Sequence, residues 1–362
     1  MGMFDIFKSR EQERISTYEG FWNWFLTEEK SFFKVLSKGE NVERDFCEHL
    51  SPKLKELREG FFFLAGMLDD KTAELIISAD GRLRNIPYVE ELIESAPKLG
   101  NWKFTGLKPA SDIQNTSIRM SGYEYHADNM WFYAIKHERY PDEIDIVITH
   151  DDFNQEDKVN LESGVHIFLD NYLGELNFAV SIDRISLISP SDAEKELIPI
   201  SKLKDYLIWR EKEFVEKYEA TYYDSENDSY SALKGNMKDS GNSFFATINN
   251  NLLEWDAKPS HPWVMEIDFT FEGPNGMPDE RTYKLLDVFE DELTSILKDS
   301  DGFLNVGRET GDNHRRIYFA CKDFRKATKV IERIMEKYEE GLKGDFMIYK
   351  DKYWLSFRKF MA

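Results

Sequence analysis

The chain has 362 residues, with 68 acidic against 47 basic side chains and a formal net charge of −21. So acidic a balance argues against a general nucleic-acid binder, which needs a basic face to displace counterions. Hydrophobic residues at 41% and aromatic residues at 14% supply the core of a globular chain of two or three domains and argue against a disordered one.

No apolar run approaches the roughly 18–20 residues that span a bilayer. The opening stretch MGMFDIFKSREQERIS has no secretory pattern, and Gly2 is followed at position 6 by Ile, where a myristoylation motif has Ser or Thr. Cys47 and Cys321 are far apart, which fits reduced thiols in the cytoplasm better than a disulfide framework. The charge is uneven. Residues 259–362 hold 17 Lys+Arg and 20 Asp+Glu, which leaves −18 in residues 1–258. That surplus is a solvated surface, or else a face that meets a basic partner.

Taken in order, residues 18–38 form an aromatic-rich amphipathic helix carrying Phe21, Trp22, Trp24, Phe25, Phe32, Phe33, Val35 and Leu36. A second helix covers 42–57 and is interrupted near Pro52. Residues 61–68 and 73–77 read as a hairpin, 87–95 as a helix opened by Pro87, and 102–104 as extended chain. Strands are expected at 118–123, 130–135 and 144–149, then a helix at 160–172 and a long strand at 177–188. Residues 201–218 make a charged helix, and 219–242, rich in Ser, Asp, Asn and Tyr, read as a linker before one short strand at 244–248.

The last hundred residues are the clearest. Trp263–Phe271 alternates as a strand, Asp279–Leu297 is a helix with Leu285, Phe289, Leu293 and Leu297 at i+4 steps, and a second helix runs over 324–338 behind Asp323 as its cap. Between them, GFLNVGRETGDNHRRIYFAC (302–321) is a period-two hairpin about a Gly-Asp-Asn turn, and 345–350 is a final strand. The order βαββαβ is that of ferredoxin-like folds, in which two helices cover one face of a four-stranded sheet. The expected class is therefore α+β: an acidic α+β domain over 1–199 with a mostly antiparallel sheet, a connecting helix and polar linker over 200–258, and a ferredoxin-like domain over 259–362.

Residues 279–338, through FEDELTSIL and DGFLNVGRETGDNHRRIYFAC, resemble the regulator of ribonuclease E activity B family. The features that carry the likeness are an acidic helix start, a "DG…VGR" strand, and an "R-x-Y-F" strand leading into a helix. The preceding ATINNNLLEWDAKPSHPWVMEIDFTFEGPNGMPD is similar to part of an uncharacterised bacterial family of unknown function. The two together cover 244 to about 354. The resemblance implies a ferredoxin-like fold and a non-catalytic, protein-binding role. Inhibition of a ribonuclease is not carried over, because the first 200 residues have no counterpart in that family.

Two sets of side chains stand out. Glu124, His126 and Asp128 follow one another at i, i+2, i+4, and His150-Asp151-Asp152 ends another strand. Converging, Glu124, His126, Asp128, His150 and Asp152 would offer oxygen and nitrogen ligands to a divalent metal; the plainer reading is polar residues at strand ends. Arg308, Arg315, Arg316, Tyr318, Arg325, Lys326 and Lys329 gather around the hairpin and second helix, as a partner-binding set or as solvated ion pairs. One strand aromatic, Tyr318, falls short of the two or three an RNA-binding sheet uses. Trp22, Trp24, Trp255, Trp263 and Trp354 read as core, and His314 as an exposed turn residue. No nucleophile, phosphate-loop or dinucleotide motif is present, and no cofactor is called for. The expectation is a cytoplasmic, non-enzymatic binding or regulatory protein whose partner is another protein, docked through an acidic surface or the free sheet face. A metal-dependent hydrolase is the alternative. Oligomeric state is not legible.

Overall fold

The computed structural model describes residues 14–237 and 239–361. The chain is an α+β protein of two compact units. The first runs to Ala110 and takes in Gly174–Leu176, and the second comprises Ser111–Leu173 and the chain from Asn177 onward.

In the first unit helix α1 spans Tyr18–Lys38. Thr17 accepts the Gly20 N–H at its start, and Gly39, at φ 67°, ends it. A single π-helical turn, Glu43–Cys47, leads into α2, Glu48–Leu57, so the irregularity expected at Pro52 falls one turn ahead of it. Strands β1 (Phe62–Met67) and β2 (Ala73–Ser78) form the expected hairpin; after α3 (Ile86–Glu94), β3 (Trp102–Gly106) joins β2 in parallel. The helices and sheet close on an aromatic cluster: Trp22 meets Phe104 at 4.6 Å, Phe32 meets Phe46 at 4.8 Å and Phe25 meets Trp102 at 5.1 Å between ring centroids. The carboxylate of fully buried Glu175 accepts the N–H groups of Ala79, Gly81 and Lys108 at 2.8–3.0 Å, so that loop backbone is satisfied by one side chain.

The second unit begins with a small ribbon, β4 (Ile118–Met120) and β5 (Tyr123–Tyr125). The single strand expected at 118–123 is broken because Ser121 and Gly122 both adopt positive φ, 52° and 84°, as a two-residue hairpin turn demands. Next come β6 (Met130–Ile135), β7 (Asp145–His150), α4 (Lys158–Leu173), α5 (Glu175–Ser181), β8 (Arg184–Ile188), β9 (Ile198–Pro199) and α6 (Leu203–Tyr218). The strand expected from 177 is therefore half helix. Asn177 bonds back to the Leu173 carbonyl, and Phe178 packs on the core, so tertiary burial overrides the β-branched run that follows. The four-stranded sheet has the order β8-β7-β6-β9, and β7 is buried along its whole length.

The chain ends in a six-stranded sheet. Strands β10 (Tyr230–Asn236) and β11 (Ser243–Asn249), helix α7 (Asn250–Glu254), β12 (Trp263–Thr270), α8 (Glu280–Ile296), β13 (Phe303–Gly311), β14 (His314–Cys321), α9 (Phe324–Tyr338) and β15 (Lys343–Lys350) give the order β10-β11-β13-β14-β12-β15, antiparallel throughout. The last four strands in that order, with α8 and α9, are the expected ferredoxin-like βαββαβ. The stretch 219–242, read as linker, carries β10. It has no apolar alternation of its own because an edge strand with residues exposed at every second position needs none. Helices α8 and α9 start on Asp279 and Asp323 as caps and bury Leu286, Phe289 and Leu293, and Ala327, Val330, Ile331 and Ile334, against one sheet face.

A buried ion cluster ties this sheet to the β6–β9 layer within the same unit. The Asp183 carboxylate accepts from Lys350 Nζ at 2.8 Å, Lys352 Nζ at 2.6 Å and the Ile144 N–H at 2.7 Å. Beside it, Asp142 takes the Tyr353 hydroxyl at 2.6 Å, the Tyr218 hydroxyl at 2.7 Å and Lys217 Nζ at 3.0 Å.

Candidate functional site

The sheet face opposite α8 and α9 is divided. One half is apolar and covered by the chain itself. Leu304, Val306, Ala246, Ile248, Val264 and Ala320 lie beneath Trp354, Phe357 and Phe360 of the closing segment. Trp354 is fully buried, and its Nε1–H donates to the His261 carbonyl at 2.9 Å. The expectation of a free sheet face is corrected for this half: its apolar residues are closed off within the chain, as burial of such a surface requires.

His261 lies beneath the same cover, its ring 5.5 Å from that of Trp255. Burial, with a smaller contribution from the Lys322 charge, pushes its pKa down to about 3. The unfolded chain takes up this proton near pH 6.5 and the native chain refuses it, so stability falls as pH drops from 6.5 toward 3. His261→Gln should therefore flatten the dependence of unfolding free energy on pH between about 5.5 and 4 by close to one proton, about 1.4 kcal/mol per pH unit. Urea titrations at half-unit steps would read it, and identical slopes would refute the assignment.

The other half of the face is charged and partly covered, Glu309 being buried, Asp268 and Arg316 half-buried and Asp345 exposed. Cross-strand register sets Asp345, Asp268, Arg316 and Glu309 in one row across β15, β12, β14 and β13. Arg316 reaches Asp268 at 3.2 Å, Glu309 at 3.1 Å and Glu266 at 3.5 Å. Glu309 also accepts the Tyr318 hydroxyl at 2.8 Å and Lys359 Nζ at 3.0 Å. Burial alone would raise the Glu309 pKa, but the Tyr318 hydroxyl, the Lys359 charge and Arg316 outweigh it and hold the carboxyl below its ordinary range. Glu266 is raised, because burial outweighs Arg316 and Lys359. His314, expected to be exposed, is half-buried and hydrogen-bonds Asp268 through Nδ1 at 2.9 Å. Alongside runs a groove of about 450 Å³ lined by Glu266, Asp268, Asp345 and Met347 among others, with Lys343 as its cation. Asp268 and Asp345 stand directly opposite each other; Arg316 and His314 offset the charge on Asp268, and the Phe346 N–H donates to Asp345 at 2.8 Å.

Residues 231–362 match a family of unknown function, DUF695. The match takes in nearly all of the six-stranded sheet and the segment that covers it, so of the sequence likeness it supports the part concerning a domain of unknown function. No curated protein and no solved structure matches the chain.

The basic set is spread over three surfaces. A bulge between Asn305 and Gly307 turns Arg308 to the helix side, where it pairs with Glu290 at 2.8 Å. Arg315, on that side too, is buried: it bonds Asp287 at 2.7 Å and Thr310 Oγ1 at 3.0 Å, with its guanidinium 4.8 Å from the Tyr283 ring centroid. Arg316 and Tyr318 share the opposite face, and Tyr318 is buried beneath Phe357. On α9, Lys326 pairs with Asp301 at 2.6 Å, Arg325 with Asp323 at 3.3 Å, and Lys329 is exposed. Arg315 and Tyr318 are thus buried and bonded within the sheet and the elements that cover it.

The metal reading is corrected. Among the described residues no group of three or more His, Cys, Asp or Glu side chains is arranged to hold a metal ion. Fully buried His150 uses both ring nitrogens: Nδ1 accepts the Asp152 N–H at 3.1 Å and Nε2–H donates to the Glu124 carbonyl at 2.9 Å. The Glu124 carboxylate turns to Arg119 at 3.2 Å, His126 Nδ1 accepts the Asp128 N–H at 3.2 Å, and the side chains of Asp128 and Asp152 stand in solvent. A strand-end histidine that closes its own turn leaves no lone pair for a metal.

Of the tryptophans, Trp22, Trp263 and Trp354 are buried, while Trp24 and Trp255 are half-buried. Both cysteines are free thiols, and burial pushes both pKa values up. No helix among the described residues is long and apolar enough to cross a membrane. The residues missed in the sequence, Glu266, Asp268 and Asp345, had one usable signal. On β12, Glu266, Asp268 and Thr270 alternate with Met265, Ile267 and Phe269, which marks a polar face but not what lies across it.

Proposed function

We propose that the chain is a cytoplasmic, non-enzymatic binding protein of regulatory type, akin to the regulator of ribonuclease E activity B family in its C-terminal module, which docks on another protein. The supporting observation is the charged, partly exposed half of the sheet face, where Asp268 and Asp345 oppose each other beside Glu266 in a groove. A cationic side chain of a partner seated there meets three carboxylates, and the chain's net charge of −21 favours encounter with such a partner. The side chains a metal-dependent hydrolase would need are not brought together among the described residues, and the charged face supports binding instead.

The test is affinity capture from native lysate by the intact chain at about 50 and 500 mM salt, alongside Asp345→Lys. The reading expects a captured protein that is released at high salt and is reduced at least tenfold by the charge reversal. Equal capture by both proteins would remove this face from consideration.

A further inference from the structure

The helix layer is narrower than the sheet it covers. Six strands at about 4.8 Å spacing make a sheet roughly 29 Å wide, of which two helices about 10 Å across cover about 20 Å. The covering helices sit over the ferredoxin-like strands: Phe289 of α8 meets Phe269 of β12 at 4.7 Å, and Glu290 holds Arg308 of β13. The outer hairpin β10–β11 extends beyond them, and Tyr230 and Phe245 stay exposed at 51% and 40%. At the step between α8 and the hairpin is a cleft of about 640 Å³, a size suited to a small molecule.

Its charges cancel. Glu290 and Asp299 are matched by Lys298 and Arg308. Glu290 and Arg308 are committed to each other, and Asp299 accepts the Ser225 hydroxyl at 2.5 Å. The uncommitted side chains are Tyr222, Thr247, Lys298 and Asn305, none of which has a hydrogen-bond or ion-pair partner among the described residues. They offer a solvent-facing aromatic ring, a hydroxyl, an ammonium and a carboxamide around one space. A ring presenting C–H groups on its face and hydroxyls on its rim uses all four: the face stacks on tyrosine, and the rim exchanges hydrogen bonds with a hydroxyl and a carboxamide that both donate and accept and with an ammonium that donates. Zero net charge disfavours phosphorylated and cationic ligands alike.

We infer that this cleft is a binding site for a neutral carbohydrate of about two sugar units, distinct from the charged sheet face. The test is a ¹H–¹⁵N NMR titration of the full chain with maltose, cellobiose and N,N′-diacetylchitobiose, with glucose 6-phosphate as the anionic comparison. At least one disaccharide should shift the amides of Thr247, Asn305 and Arg308 saturably. Tyr222→Ala, a change at an exposed position, should weaken that binding about tenfold, and Asp345→Lys should leave it unchanged. No saturable shift at the cleft with any of the three overturns the inference, as does binding that Tyr222→Ala leaves intact or that glucose 6-phosphate exceeds.

Discussion

Gly307→Val should fail to form the native six-stranded sheet. Gly307 sits at φ 147°, in a region that L side chains rarely adopt, and a Cβ placed there would lie 2.3 Å from the Thr247 carbonyl oxygen and 2.9 Å from the Ile248 Cα. Both obstacles are backbone of β11, a strand held on both sides, so neither can step aside without breaking ladder hydrogen bonds. The cost is backbone strain plus lost pairing, roughly 3 kcal/mol or more. Gly307→Ala should lose most of the same amount, since the clash begins at Cβ. Thermal unfolding followed by circular dichroism would decide it. A Val variant with an unchanged melting temperature would mean that β11 and β13 do not pair in this register.

The same glycine explains how far the sequence could be read. Strict alternation along 303–308 sets Arg308 on the same side as Leu304 and Val306, and with it a basic patch that includes Arg316. The bulge adds one residue, so Gly307 faces Tyr318 and Arg308 faces Ile317, and every side chain after it changes face. The elements themselves were legible wherever short-range chemistry decides them: the caps Asp279 and Asp323, the i+4 stripe of α8, and the Asp312-Asn313 turn, whose φ values of 53° and 66° are those its residue types favour. Strand β10 was not legible, because it is held by pairing with β11 and not by an apolar pattern of its own. Nor was the metal-like cluster, since the spacing of His126 and His150 does not reveal that each histidine accepts the N–H two residues on. The charged row on the partly covered face joins positions 268, 309, 316 and 345, which only the sheet order brings together.

Asp183→Asn should be the most damaging single charge removal in the second unit. Two lysines converge on this carboxylate from the end of β15 and the residues after it, and Asp183 and Lys352 are almost fully buried. Neutralising it strands two ammonium groups away from water, a cost of about 3–5 kcal/mol for a broken buried pair. The sign of the pH dependence follows from Lys350, whose pKa burial and the neighbouring Lys352 charge push down to about 8 even with Asp183 present. Its ordinary value is 10.5, so between 8 and 10.5 the unfolded chain binds the extra proton and stability rises with pH. Without Asp183 the Lys350 pKa falls further, and the variant gains this relief at lower pH than the parent does. The Asp183 pKa itself is lowered from 3.8, outside this window. The deficit of Asp183→Asn measured by urea unfolding should therefore be larger at pH 6 than at pH 9. A deficit equal at both pH values would mean that the lysines are hydrated in solution and that this joint is held by its aromatic and hydroxyl contacts around Tyr353 instead.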